Sequence, residues 1–470
     1  MKRTYPPSWP RFWLRFWPHA AHRQRAALSV LLAALLAVTL APQARAQDAD
    51  SLIRDTETER LLRSYLDPIL IAAGLQPKAV GLFIIADPTI NAFVTEGQNV
   101  FVNTGLIMQL ETPNQVTGVL AHETGHMADG HLVRSNDAVT AATIPMLIGM
   151  AAGVAAMAAG SGDAGQALIL GGQQIAERDI LAFSRTQESA ADQAGIRLLN
   201  ATHQSGQGML QVFRQFSDEE IMTDKPIDAF AQNHPLSVDR IASLQRLVDS
   251  SPYRDVKDSA SAQYAYDMVR AKLRGYLGDP AVVLRQYPLS DTSKPARYAR
   301  AMAYFRQPNM EKALAEIQSL LAEEPNNPYF LEVYGQIQVE RSRPALGVEP
   351  YRKAVAALPD APLLRMALGG ALLATENPDM TKEAIKELQI SLQQENNNSF
   401  TWYELAQAYG RTGETGKADL ATAEQYYSAS VYQQAMQFAA RAQRNLPRGS
   451  IDWQRANDIM SVASNQMPKR

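Results

Sequence analysis

The sequence predicts a mainly α-helical protein with a small β-sheet in its first half, followed by an all-helical array of repeats. Three observations carry this prediction: short apolar runs between residues 79 and 102, two long helical patterns after them, and two prolines 34 residues apart in the second half. At 470 residues the chain also exceeds one ordinary domain. We expect a signal peptide at 1–46, a first domain at 47–255 and a repeat domain at 256–470.

The N-terminus predicts export from the cytoplasm. Residues 1–46 carry seven basic side chains and no acidic one, and residues 26–41 are uncharged and apolar. Ala44-Arg45-Ala46 then supplies a small-x-small cleavage pattern, so we expect cleavage after Ala46. A retained membrane anchor is the alternative, because 16 apolar residues are only slightly short of a spanning helix. The chain has no cysteine, and a bacterial periplasm fits best.

The charge argues against a nucleic-acid partner. The formal net charge is −3, and the residues after position 46 carry 38 basic and 48 acidic side chains, a net charge of −10. A body this acidic is a poor non-specific binder of nucleic acid. Hydrophobic residues make up 46% of the chain, which is ample for a globular core.

The apolar runs predict strands that lead into a well-marked helix. Residues 79–86 read as a buried strand that ends at the turn residues Asp87-Pro88, and residues 92–94 and 99–102 read as two shorter strands. Thr112 then forms a helix cap, with proline next and a glutamine three residues after the cap. This helix should run to about residue 129.

Residues 138–162 contain no charged side chain. The segment is long enough for a membrane helix, but it is rich in alanine and glycine and contains Pro145. A buried helical hairpin, a surface-lying flap and a membrane span all remain open. We favour a flap or hairpin beside the site described below, with contact between residues 138–160 and a membrane surface as a further option. A second long helical pattern covers about residues 175–199.

The second half shows the spacing of tetratricopeptide repeats. Trp402, Leu405, Ala406 and Tyr409 occupy the opening positions of such a repeat, with alanine in place of the usual glycine. Two prolines, at 325 and 359, are separated by the 34-residue period of these repeats. Such arrays leave a concave face for an extended partner.

The segment Ala121-His122-Glu123-Thr124-Gly125-His126 predicts a zinc site. Four residues advance a helix by about 400°, so His122 and His126 share one face and can bind the same ion. Imidazole and carboxylate groups are usual zinc ligands, and Glu123 projects beside the metal, where it can act as a general base.

A third ligand must come from elsewhere in the chain. His131 lies about 140° around the helix from His126, and it misses the metzincin spacing by one residue, so we interpret it as structural. Glu188 is the better candidate. It shares a helix face with Asp192, so that one acid can bind the metal while the other orients a ligand histidine.

The ordered set of motifs resembles the HtpX-like gluzincin metallopeptidases. The set comprises HExxH, the later Glu188-x-x-x-Asp192, and His234-Pro235 followed by Arg240. The subgroup with a signal peptide and C-terminal tetratricopeptide repeats is the most similar, and the resemblance covers residues 47–470.

The resemblance implies roles for these residues. His122, His126 and Glu188 would bind one Zn²⁺ per chain, with Glu123 as general base. His234 would be a removable fourth ligand that holds the enzyme inactive. The residues alone leave open that His234 or Arg240 donates to the oxyanion, that Asp192 and Arg240 only support the site, or that His234-Pro235 simply begins a helix.

The resemblance also implies a function class. We expect a periplasmic zinc endopeptidase of protein quality control that degrades misfolded or stalled outer-membrane proteins and aids their assembly. Its repeats would dock unfolded substrates or the barrel-assembly machinery. The alternative is a repeat-based chaperone or scaffold of that machinery with minor proteolysis. An integral membrane protease is a third hypothesis, and it needs residues 138–160 to span the bilayer.

Overall fold

The computed structural model describes residues 52–95, 97–158, 162–222, 230 and 234–466. The expected signal peptide at 1–46 lies outside these residues, so export and cleavage stay predictions. From Leu52 onward the chain packs as one compact unit. A mainly helical first half with a small sheet is followed by an all-helical array, which confirms the predicted fold class.

The sheet has four strands in the order β1-β2-β4-β3. They are β1 (Leu52–Ile53), β2 (Gly81–Ile85), β3 (Ala92–Thr95) and β4 (Asn99–Asn103). Strands β2 and β4 are parallel, and β3 pairs antiparallel with β4 at the edge of the sheet. The three longer strands agree with the three apolar runs. The two-residue β1 was not predicted, because two residues give no periodic signal.

The described part of the first half contains seven α-helices, one between β1 and β2 and six after β4. They are α1 (Thr56–Ala72), α2 (Thr104–Gln109), α3 (Pro113–Ala128), α4 (His131–Ala158), α5 (Gly162–Ala201), α6 (Gln207–Met222) and α7 (Val238–Asp249). Helix α3 begins with the capping box expected from its sequence: Thr112 accepts from the backbone of Gln115, whose side chain accepts in return. The helix is buried along nearly its whole length.

Helices α4 and α5 form an antiparallel pair. Residues 138–158 therefore lie in one arm of a helical hairpin beside α3, one of the two arrangements that the sequence favoured, and residues 159 and 160 lie outside the described part of the chain. Helix α5 begins 13 residues earlier than the expected pattern at Ile175, because alanine and glycine between the arms dilute its periodicity. Among the described residues, no helix has both the length and the apolar character to cross a membrane.

The second half is built from paired helices. After α8 (Ala260–Leu277) and α9 (Pro280–Gln286), the array comprises α10 (Lys294–Arg306), α11 (Met310–Glu323), α12 (Pro328–Glu340), α13 (Pro344–Ala357), α14 (Pro362–Ala374), α15 (Pro378–Gln394), α16 (Ser399–Thr412), α17 (Thr415–Ser428), α18 (Tyr432–Asn445) and α19 (Ile451–Gln466). Helices α10, α12 and α14 start at 294, 328 and 362, which is the expected repeat period.

Helix α8 packs with the first half of the chain. Its Tyr266, Val269 and Leu273 belong to the core formed by α1, α3, α6 and the sheet. The hydroxyl of Tyr266 donates to the carbonyl of Ile107 at 2.8 Å. The division into domains at 255/256 stays a prediction, and the two halves share an extensive buried junction.

A buried lysine lies at that junction. Lys272 of α8 contacts Asp55 before α1, and its Nζ lies 3.4 Å from Glu57 of α1 and 3.9 Å from Glu332 of α12. Tyr298 of α10 donates to Glu57 at 2.8 Å. Burial outweighs the lysine's attraction and raises the pKa of Glu332 to about 7. The cluster therefore joins the first half of the chain to the array through charged side chains that are buried away from water.

We expect Lys272→Met to destabilise the whole compact unit. The substitution leaves buried carboxylates without a cation, which typically costs about 3–5 kcal/mol in unfolding free energy. Lys382→Met is the matched control, because Lys382 pairs with Asp379 on the exposed surface and should cost less than about 1 kcal/mol. Urea unfolding of the three proteins measures the difference, and equal losses would contradict a central role for Lys272.

Candidate metal centre

The two helices that carry the expected ligands touch backbone to backbone. A Cβ atom at Gly125 of α3 would lie 2.9 Å from the carbonyl oxygen of Ala191 in α5. A Cβ atom at Gly195 of α5 would lie 3.3 Å from the backbone nitrogen of His122. Glycine permits this close approach. As a result, the histidines of α3 lie within reach of the carboxylates of α5.

Four buried side chains converge at this contact: His122, His126, Glu188 and His234. Nε2 of His122 lies 3.1 Å from Nε2 of His126 and 3.2 Å from Nδ1 of His234. The carboxylate of Glu188 lies 3.4 Å from each of the two α3 histidines and 3.1 Å from Nδ1 of His234. The structure thus brings together the three expected ligands and the expected fourth.

These separations fit one zinc ion. Zinc bonds of about 2.0–2.2 Å in a tetrahedron place neighbouring ligand atoms about 3.3–3.6 Å apart. All four candidate ligand atoms lie within 4.8 Å of one another. Imidazole nitrogen and carboxylate oxygen are also ligands that suit zinc, so three of the first and one of the second form a suitable zinc donor set. The cluster therefore fits a metal ion by both geometry and chemistry.

Asp192 and Arg240 contact the cluster residues and fix their positions. Oδ1 of Asp192 lies 3.1 Å from Nδ1 of His122, which leaves Nε2 of that ring facing the cluster. Arg240 donates two hydrogen bonds to Asp192, at 2.7 and 2.8 Å, and its Nη1 lies 3.1 Å from Glu188. Nη1 also donates to the carbonyl of Pro235 at 2.8 Å. The guanidinium thus fastens the turn after His234 to α5.

Glu123 lies beside the cluster without joining it. Its side chain is buried, and the backbone N–H of Val94 in the edge strand β3 donates to it. Oε1 of Glu123 lies 3.3 Å from Nε2 of His234. Burial raises the pKa of the Glu123 carboxyl to about 7. A carboxyl with this pKa can accept and release a proton near neutral pH.

His122 and Glu188 each stabilise the charged form of the other. Burial opposes charge on His122, but hydrogen bonds to Asp192 and Glu188 outweigh it and raise the pKa of His122 to about 9. Burial also opposes charge on Glu188, yet its contacts with three histidines hold its pKa far below the usual range. A metal must displace the proton of His122, so metal affinity should rise with pH up to about 9.

Some residues that contact the cluster could not be predicted from the sequence. Phe213 stands edge-on to His122 at a ring distance of 5.4 Å, and Phe230 packs against His234 at 4.6 Å. Neither aromatic residue belongs to a spaced motif, and Val94 contributes only its backbone. His203 stacks on Tyr253 away from the cluster. The side chain of His131 lies outside the described part of the chain.

A model of peptidase family M48 matches residues 56–248, which include all of the cluster. Residues 56–248 form an M48 peptidase domain. The predicted metallopeptidase is thereby confirmed, and the M48 domain holds the His/Glu cluster in its core.

Curated relatives resemble most of the chain around the M48 domain. A "Beta-barrel assembly-enhancing protease" of Yersinia pestis is 26% identical over 380 residues, which are 79% of this chain and 76% of that protein. A "Putative beta-barrel assembly-enhancing protease" of Vibrio cholerae is 25% identical over 399 residues, 83% of this chain and 81% of that protein. The "Mitochondrial metalloendopeptidase OMA1" of Schizosaccharomyces pombe is 29% identical over 224 residues, 45% of this chain and 63% of that protein.

Among solved structures, the chain is similar to helical-repeat proteins at low scores. YrrB, described as a TPR protein with an unusual peptide-binding site, has a TM-score of 0.31 and 18% identity, and the match covers 37% of this chain and 89% of that one. A crystal structure of MamA has a TM-score of 0.28 and 20% identity, and the match covers 35% of this chain and 92% of that one.

We expect the purified protein to hold close to one zinc per chain, and His126→Ala to lose most of it. His126 lies in the cluster, so its removal takes away one ligand of the ion. His203→Ala is the matched control, because it removes a histidine that stacks on Tyr253 instead. Metal analysis after dialysis measures both variants. Zinc retained by His126→Ala, or lost equally by His203→Ala, would place the ion elsewhere.

Proposed function

We propose that this protein is a periplasmic zinc endopeptidase of protein quality control that acts on misfolded or stalled outer-membrane proteins. The observation that carries the peptidase assignment is the position of Glu123 beside four convergent ligands within an M48 domain. The relatives named beta-barrel assembly-enhancing proteases support the substrate class and the compartment, as does the export pattern of residues 1–46.

The proposed ligands are His122, His126 and Glu188. When bound, zinc supplies a Lewis acid that lowers the pKa of water toward about 7. Glu123 accepts a proton from the attacking water and returns it to the leaving amine, because burial raises its pKa to about 7. Asp192 orients His122 through Nδ1, and Arg240 in turn fixes Asp192. Because its guanidinium is bound to both acids and to Pro235, Arg240 has a positioning role in this proposal.

His234 is proposed as an inhibitory fourth ligand. Its Nδ1 faces His122 and Glu188, while its Nε2 lies 3.3 Å from Glu123. The ring therefore fills the space between the ligands and the proposed base, where a reacting water would have to lie. Arg240 binds the carbonyl oxygens of His234 and Pro235, so the same guanidinium that supports the ligands also holds the inhibitory residue in place.

Edge strand β3 offers a way to bind an extended substrate. Among the described strands it pairs with β4 alone, and the backbone N–H of its Val94 donates a hydrogen bond to Glu123. An extended polypeptide added to this strand would pass directly over the proposed base. This arrangement supports cleavage within a chain over a purely chaperone-like role.

Covalent trapping tests the proposed substrate class. The inactive Glu123→Gln variant, expressed in the native host with a crosslinker in the periplasm, should retain unfolded outer-membrane proteins, which mass spectrometry identifies. Glu123→Gln/His126→Ala is the control, because it removes the metal as well as the base. Enrichment of soluble periplasmic proteins instead of outer-membrane proteins would overturn the substrate assignment but leave the peptidase assignment standing.

Glu123→Gln and Glu188→Gln should separate chemistry from metal binding. Glu123→Gln should keep zinc and slow peptide cleavage by about 10²–10⁴-fold, since it removes the proton acceptor alone. Glu188→Gln should lower the zinc content, since it neutralises a ligand that touches all three histidines. Metal analysis and a peptidase assay on the same preparations test both, and equal zinc contents would show the roles to be misassigned.

His234→Ala should raise proteolysis. A bias of about 2.7 kcal/mol toward the ligated state would keep roughly 99% of molecules inactive, and the substitution removes that bias. If His234 instead donated to the oxyanion, the rate would fall by about 10²–10³-fold. Peptidase assays at equal zinc occupancy decide between a faster and a slower variant, and His203→Ala serves as the matched control.

A further inference from the structure

The outer part of the α4–α5 helix pair exposes an exceptional share of apolar side chains. We define the apolar hairpin as residues 141–157 of α4 and 166–176 of α5. Of the large hydrophobic side chains that are exposed in the described chain, nine lie in it: Ile144, Leu147, Ile148, Met150, Val154, Met157, Leu168, Leu170 and Ile175. Large exposed apolar surfaces usually bind another apolar surface, either of a protein or of a membrane.

The packing of the apolar hairpin is inverted relative to that of a helix pair in water. Its buried positions are Gly149, Gly153, Gly172 and Ala176, which are all small. A Cβ atom at Gly149 would lie 2.8 Å from the Cα of Gly172, so the helices touch through their backbones. Small residues between helices and large apolar residues outside are typical of helix pairs in lipid.

The exposed apolar side chains surround the α4 arm of the hairpin, whereas the α5 arm also exposes Gln166, Gln173 and Gln174. Within residues 141–157 of α4, the described side chains on every face other than the glycine contact are exposed or half-buried, and none of them is charged. An amphipathic helix that lies on a membrane, or beside one extended peptide, would be apolar on one face only. An all-round apolar surface is expected where the surroundings are themselves apolar.

Charges mark the base of the hairpin. Between Asp137 and Glu177 the only charged residue is Asp163, and Glu177-Arg178-Asp179 follow at once as an exposed group on α5. This pattern of an uncharged stretch bounded by charges complements the boundary between lipid hydrocarbon and headgroups. From Glu177 to Asp163 the arm is about 20 Å long, against a half-bilayer hydrocarbon depth of about 15 Å. Asp163 lies at the far end of this arm, so the hairpin fits within one leaflet only when it is strongly inclined, with both ends of the arm near the headgroups.

We propose that the apolar hairpin inserts into one leaflet of a phospholipid bilayer, entering and leaving on the same side. Both arms are helical, so their backbone hydrogen bonds are already satisfied for an apolar medium. Helix α4 follows the metal-site helix α3 directly, and α5 carries Glu188 two turns beyond Leu181. Insertion would therefore hold the metal centre close to the membrane surface.

Flotation with phosphatidylcholine vesicles tests this proposal, with a chain that begins at Gln47 and includes the whole compact unit from Leu52. The chain should float with the vesicles. The variant Ile144→Glu/Ile148→Glu/Val154→Glu should bind at least 10-fold more weakly, and it should stay folded because all three side chains are exposed. The matched control is Leu289→Glu/Leu346→Glu/Ile451→Glu, which places the same charges at exposed apolar positions in the second half of the chain and should bind like the parent chain.

A second measurement needs no charged substitution. The chain has no cysteine, so Ile148→Cys and Leu346→Cys can each carry one environment-sensitive dye. Vesicles should shift only the dye at position 148 to the blue, and lipids with quenchers on their acyl chains should quench it. Failure of the parent chain to bind vesicles, or equal dye responses at the two positions, would overturn the proposal.

Other occupants of the surface would give different results. A dimer in solution that the hairpin variant dissociates would assign the surface to a second copy of the chain. Binding of an unfolded polypeptide that the hairpin variant loses, without vesicle binding, would assign it to a protein ligand. Either result would overturn the lipid assignment. None of these measurements requires proteolysis, so their outcome is independent of the proposed substrate.

Discussion

The close contact between α3 and α5 is the constraint on which the rest of the metal centre depends. Two of the proposed ligands lie on one helix and the third on the other, so they can reach the same ion only if the two backbones approach closely. Gly125 and Gly195 permit this approach, since a side chain at either position would meet the backbone of the opposite helix. Ligand residues alone would not suffice. The glycine between the histidines in Thr124-Gly125-His126 is therefore as much a part of the site as its ligands.

Beyond this contact, a series of charged side chains holds the proposed ligands in position. Glu188 faces the histidines, Arg240 binds Glu188 and Asp192, and Asp192 returns to His122. A guanidinium between two acids neutralises charges that burial would otherwise make costly. The same group binds the carbonyl oxygen of Pro235. Ligand orientation and the placement of His234 thus depend on one side chain.

The sequence allowed much of this site to be predicted, and the reasons are local. His122, Glu123 and His126 lie four residues apart or fewer, so helical geometry alone places them together, and a capping box marks where their helix begins. Glu188 and Asp192 share a helix face for the same reason. His234 was harder, because its position depends on a turn that Arg240 fastens through backbone carbonyls. Phe213, Phe230 and Val94 were not predicted, since their contacts are set by tertiary packing that no spacing encodes.

Lys272 limits which substitutions such proteins can accept during evolution. It belongs to the junction of the two halves and meets acids from both: Asp55 and Glu57 near the start of the first half, and Glu332 in the array. Replacing the lysine alone leaves the buried acids without a cation. Replacing one acid alone leaves the buried lysine with too little negative charge beside it. Neutral drift at these positions therefore requires paired substitutions in both halves. A peptidase domain recombined with a foreign repeat array would lose this match, so the two halves should be inherited together.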